Sequence, residues 1–189
     1  VRVHLLTSEL DEKIPFCEYF IVPYFLWFIY IAAASVFFVC FCKDYEESRR
    51  YVLSFCAGMT VFLLVSFLYP NGQDLRPQLE RGGTVFVEAV RFLYRIDTPT
   101  NILPSMHVYV TVMNSIALCR QENIRRRKGF VAGLWMFSVL IILSTLFLKQ
   151  HCVVDVISAF GMYAVCYILV YRRERGYVYG RDRRRLESA

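Results

Sequence analysis

The chain has 189 residues, of which 57% are hydrophobic, 16% aromatic and 20% charged. The charges gather between long apolar runs, which excludes an ordinary soluble domain and describes an integral membrane protein. The net charge of +6 calls for no nucleic-acid partner, because basic residues beside membrane spans follow from topology and anionic headgroups.

Residues 1–13 are mixed and partly acidic and lack the pattern of a signal peptide. Five apolar runs follow, at 22–42, 51–69, 104–119, 129–148 and 153–171. A helix crosses the hydrocarbon layer in ~20 residues, and four of the runs reach that length. The run at 104–119, PSMHVYVTVMNSIALC, is shorter and more polar. Its place between clear spans predicts a fifth span with a functional end. Helices are expected because backbone polar groups in lipid must be satisfied within the segment. Tyr24, Trp27, Tyr51, Tyr69 and Tyr171 lie near run ends, where interfacial anchors are expected.

Between the second and third runs, YPNGQDLRP is rich in turn formers. TVFVEAVRFLYRI, at 84–96, repeats apolar residues at a helical period and predicts a short helix along the membrane interface. The expected fold is all-α, a polytopic membrane helical bundle forming one domain over 1–189, with a basic cytoplasmic tail at 172–189. The seven cysteines include no CxxC pair, which argues against a zinc site or disulfide framework.

Fifteen of the 22 basic residues fall between runs one and two, between runs three and four, or after run five. The positive-inside rule makes that side cytoplasmic. The 70–103 loop, which carries Arg76 and Arg81, and the 149–151 turn then share the outer side. So do PSMH and the end of the fourth run. A helix opening with Pro104 offers free N–H groups and a positive dipole end to an anion, with the Ser105 hydroxyl beside them and His107 on the first turn. His151 and Asp155 are four apart, so on a helix they share a face. A carboxylate on one ring nitrogen fixes the tautomer and leaves the other nitrogen's lone pair for attack. An ionisable residue as deep as Asp155 is costly in a membrane, so a functional role is the default expectation.

These clusters resemble the three signature motifs of the type 2 phosphatidic acid phosphatase superfamily, K-x6-RP, PSGH and SR-x5-H-x3-D. Here they read Y-PNGQDL-RP from Tyr69 to Pro77, PSMH from Pro104 to His107, and ST-LFLKQ-H-CVV-D from Ser144 to Asp155. The chain looks most similar to the branch of inositol-phosphoceramide synthases and related lipid phosphotransferases. The resemblance implies six spans, of which the first would be missing here. It implies a lipid phosphatase or phosphotransferase of a plasma membrane, read as bacterial, with an extracytoplasmic site, membrane lipids as surroundings, and no metal or other cofactor. By the same resemblance His151 attacks phosphorus, Asp155 orients it, and His107 protonates the leaving alcohol. Arg76, Ser105 and Ser144 would hold phosphoryl oxygens. Tyr69, Met106 and Thr145 replace the pattern's lysine, glycine and arginine. Tyr69 and Thr145 are thus weaker phosphate contacts, and Lys149, one helical turn beyond Thr145, is expected to restore a charge. Other classes are a transporter with His151 and Asp155 as a proton relay, a non-catalytic lipid-binding relative, and a metal site at His107, His151 and Asp155.

Overall fold

A computed structural model describes residues 3–80 and 82–187 of the chain, with side chains as far as Tyr171. The chain order is β1 (His4–Leu5), α1 (Glu9–Lys13), α2 (Ile21–Val36), α3 (Tyr45–Leu68), β2 (Asn71–Gly72), α4 (Val85–Ile96), α5 (Met106–Arg120), α6 (Glu122–Arg125), α7 (Lys128–Phe147) and α8 (Val153–Glu187). A 3₁₀ turn at Glu18–Phe20 leads into α2, and a π-helical turn at Phe37–Phe41 ends it.

Among the described residues, four helical segments are long and apolar enough to cross a membrane: Glu18–Phe41, Tyr45–Leu68, Lys128–Phe147 and Val153–Tyr171. Their outward faces carry large apolar side chains such as Phe67, Leu68, Val39 and Leu169. So much apolar surface suits lipid and not water. The fifth expected span differs. It forms α5, whose 15 residues make a rod of ~22 Å against a hydrocarbon core of ~30 Å. Helix α5 lies at the centre of the bundle, packed against α2, α3, α7 and α8. Residues from Val108 to Ser115 are all buried, so every face of this helix meets protein. Its polar side chains find partners there: Tyr51 Oη donates to Asn114 Oδ1, and the Ser115 and Ser138 hydroxyls bond each other.

The helix ends carry the local signals that start them. Asp44 caps α3, accepting the N–H groups of Glu46 and Glu47 at 3.0 and 3.2 Å, with both glutamates in the favourable first turn. Thr84 caps α4, which runs as the 84–96 pattern predicts. At the other end of the bundle, Arg120 Nη2 and Nε donate to Glu47 at 2.7 and 3.0 Å and tie α5 to α3.

Three expected interfacial anchors, Tyr24, Trp27 and Tyr51, are buried inside the bundle. Run-end position did not separate lipid-facing rings from inward ones, because that depends on helix phase. The N-terminal segment is also structured. β1 pairs in parallel with β2, and the His4 ring stacks on Tyr69 at 4.4 Å. The backbone of 172–187 continues α8, but its side chains, and Arg2 and Arg81, lie outside the described residues. So does the reading of residues 172–189 as a basic tail.

Candidate active site

The loop ends and helix starts of one end of the bundle are held by buried polar residues. Asn71 is fully buried; its Oδ1 accepts the N–H groups of Ile102 and Leu103, both at 2.9 Å. Asn71 thus fixes the chain entering PSMH. Ser105 is the N-cap of α5, its hydroxyl accepting from Val108 N, and its own N–H donates to Asp155 O at 3.3 Å. That bond seats the start of α5 against the start of α8.

His151 does not lie on a helix, contrary to the i, i+4 expectation. α7 ends at Phe147, Lys149 takes a left-handed backbone with φ 51°, and α8 begins only at Val153. The His151–Asp155 contact nevertheless forms, with Nδ1 3.3 Å from Oδ2. Asp155 is held for it from the other side. Its Oδ2 accepts Cys152 N–H at 2.9 Å, and its Oδ1 accepts the Cys152 thiol at 3.0 Å. The carboxylate therefore half-caps its own helix and orients the histidine with the same oxygen.

The second histidine completes a chain. His107 Nδ1 lies 3.1 Å from His151 Nε2, although 44 residues separate them. One arrangement of protons satisfies the series with both rings neutral. His151 Nδ1–H donates to Asp155, and His107 Nδ1–H donates to His151 Nε2. His107 Nε2 is then a buried atom with no partner. The His107 ring packs against Trp27 at 4.0 Å and Tyr24 at 4.8 Å, which fixes its plane.

A cavity of about 110 Å³ opens beside this pair, lined by His107, His151, Gln150, Met106, Asp97 and Asn101 among others. Arg76 reaches the same region. Its Nη1 donates to Asp97 O at 2.7 Å, its Nη2 donates to Gln150 Oε1 at 2.5 Å, and it lies over the Tyr94 ring at 4.5 Å. Arg76 Nε and Gln150 Nε2 are buried without partners. Leaving such a group unsatisfied costs about 1–3 kcal/mol each. Two of these orphaned nitrogens, on His107 and Gln150, belong to residues that line the cavity, and they mark a place where a polar ligand would restore what folding leaves unmade.

The other sequence candidates are placed differently. Ser144 and Thr145 are buried, and each hydroxyl donates back into its own helix, to Ile141 O at 2.6 Å and Ile142 O at 2.8 Å. Lys149 does not bring its charge to Thr145. Its ammonium donates to Asp11 O at 2.6 Å and Ile14 O at 2.5 Å. Burial pushes its pKa down, partly offset by the Asp11 carboxylate. Tyr69 caps the end of α3 and stacks on His4. Among the described residues, no group of three or more His, Cys, Asp or Glu is set to hold a metal ion.

Sequence reading missed Gln150, Asn71 and Asp11. Asp11 is buried and its Oδ1 accepts Val153 N–H at 2.7 Å, capping α8 from the far end of the chain. Only a buried polar residue inside a motif spacer, as Gln150 is, could have been suspected from the sequence. No protein-family model matches the chain, and neither a curated protein nor a solved structure shows significant similarity to it.

Proposed function

We propose that the chain is a membrane-embedded phosphatase or phosphotransferase of the type 2 phosphatidic acid phosphatase superfamily, acting on a lipid phosphate such as a diacylglycerol or isoprenyl phosphate. The observation that supports this reading is the Asp155–His151–His107 series. It joins two of the three motifs by hydrogen-bond contacts of 3.3 and 3.1 Å, and Arg76 of the remaining motif stands one residue away through Gln150.

In this reading His151 Nε2 attacks phosphorus and the ester P–O bond breaks. The leaving alkoxide takes a proton from His107, which is charged while the phosphate is bound. Water, or an acceptor alcohol, then gives a proton to His107 and displaces His151 from phosphorus. The reaction needs space that the resting pair does not offer. A near-attack nitrogen sits ~3–3.5 Å from phosphorus and the acid a hydrogen bond beyond the ester oxygen. The two nitrogens, now 3.1 Å apart, must therefore separate by a few ångströms to admit the phosphoryl group. Ser105 would lend its position at the α5 start to the phosphoryl oxygens. The site faces away from the cytoplasm, α5 counts as a fifth span, and the C-terminus is cytoplasmic.

The test is turnover of phosphatidate and isoprenyl phosphate by the purified protein in detergent, beside His151→Ala and His107→Ala. Losses of about 10²–10⁴-fold are expected; equal turnover by all three proteins would sink the reading. A second reading, a proton-relaying transporter, draws on the same continuous His107–His151–Asp155 chain. It predicts proton movement across vesicles without phosphate release.

A further inference from the structure

We infer that Gln150 is a substrate-binding residue whose amide nitrogen donates to a phosphoryl oxygen in the cavity beside His107 and His151. This rests on the phosphoryl-transfer reading and adds to it a residue that the motif pattern leaves as a spacer.

Gln150 is 2% exposed, yet its amide is only half used. Arg76 Nη2 can only donate, so the atom that meets it at 2.5 Å must be the amide oxygen. That fixes the NH₂ group as the free end. It is buried, it has no partner, and the residue lines the cavity together with both histidines. A ligand that completes it must bring acceptors, and a phosphoryl group brings several. The Arg76 bond withdraws electrons from the amide oxygen and strengthens the NH₂ donors. Gln150 thus passes part of a cation's pull to a place the guanidinium does not line. The acidic group on the cavity wall, Asp97, already accepts from Tyr24 Oη at 2.9 Å.

The alternatives for this role are engaged elsewhere. The Thr145 hydroxyl donates to Ile142 O, and the Lys149 ammonium to Asp11 O and Ile14 O. The arginine of the family pattern is absent, and Gln150 supplies uncharged donors in its stead. Uncharged donors leave the site with less positive charge, so phosphate is held by hydrogen bonds more than by an ion pair.

Inorganic phosphate is the probe. It is titrated into the detergent-solubilised protein and followed by tryptophan fluorescence, since Trp27 packs on His107. Gln150→Glu keeps an acceptor for Arg76 and removes the donors; Gln150→Met removes both. Donation to phosphate predicts at least tenfold weaker binding in both variants. Unchanged affinity in Gln150→Glu would reveal a purely structural residue and overturn the assignment, as would a wild-type protein that does not bind phosphate. Phosphate binding that depends on Gln150, without lipid turnover, would keep the subsite and remove the reaction. Turnover with equal phosphate affinity in all three proteins would do the reverse.

Discussion

Asp155 carries three contacts on one carboxylate: His151 Nδ1, the Cys152 N–H and the Cys152 thiol. Asp155→Asn keeps the shape but can present an N–H to a ring nitrogen that must itself donate. Turnover should fall by about 10²–10⁴-fold, with a loss of roughly 1 kcal/mol in stability from the weakened helix cap. A purely structural Asp155 would move the melting temperature and leave the rate per folded molecule unchanged. Burial and the Asp155 charge push the Cys152 thiol up to about 12. Cys152 should therefore resist maleimide at pH 8 until the protein is unfolded, read by mass spectrometry; labelling as fast as a free thiol would contradict the contact. At this scale the polar residues that meet at the candidate site were legible, since His107, His151 and Asp155 stand out in apolar runs. The donors that surround them were not. Ser144 and Thr145 match the motif spacing but turn their hydroxyls to their own helix, and the Lys149 side chain points away because the backbone reverses hand there.

At the scale of elements, length and hydropathy specified the long helices, and local caps such as Asp44 and Thr84 specified where they start. Caps from afar were hidden. Asp11 reaches Val153 across 142 residues, with no local pattern to announce it. Asp11→Ala should cost about 0.5–2 kcal/mol and loosen the turn bearing His151; an unchanged melting temperature in detergent would count against this cap. Gly58 marks a second long-range fit. A Cβ there would fall 2.1 Å from the Tyr109 ring, whose hydroxyl donates to Ser54 O at 2.6 Å. Gly58→Ala should destabilise the α3–α5 contact by about 1–3 kcal/mol, and a neutral effect on thermal unfolding would mean the helices can part cheaply.

The molecule as a whole sets polarity and place. Charge counting put the 70–103 loop and the 149–151 turn on one side, and His107, Gln150 and His151 do meet there. The short central helix was harder to read, because α5 is defined by burial among neighbours and not by spanning length. The proposed orientation predicts that a cysteine at Thr98 and one at Arg125 react with an impermeant reagent from opposite faces of a sealed vesicle; reaction from one face would contradict it.

The central claim is that His151 carries the phosphoryl group. Rapid acid-free quenching of the protein with ³²P-labelled phosphatidate, followed by peptide mapping, tests it most directly. The account predicts alkali-stable, acid-labile label on the peptide containing His151, absent from His151→Ala. Steady turnover with no label on that peptide, or label that survives in His151→Ala, would contradict it.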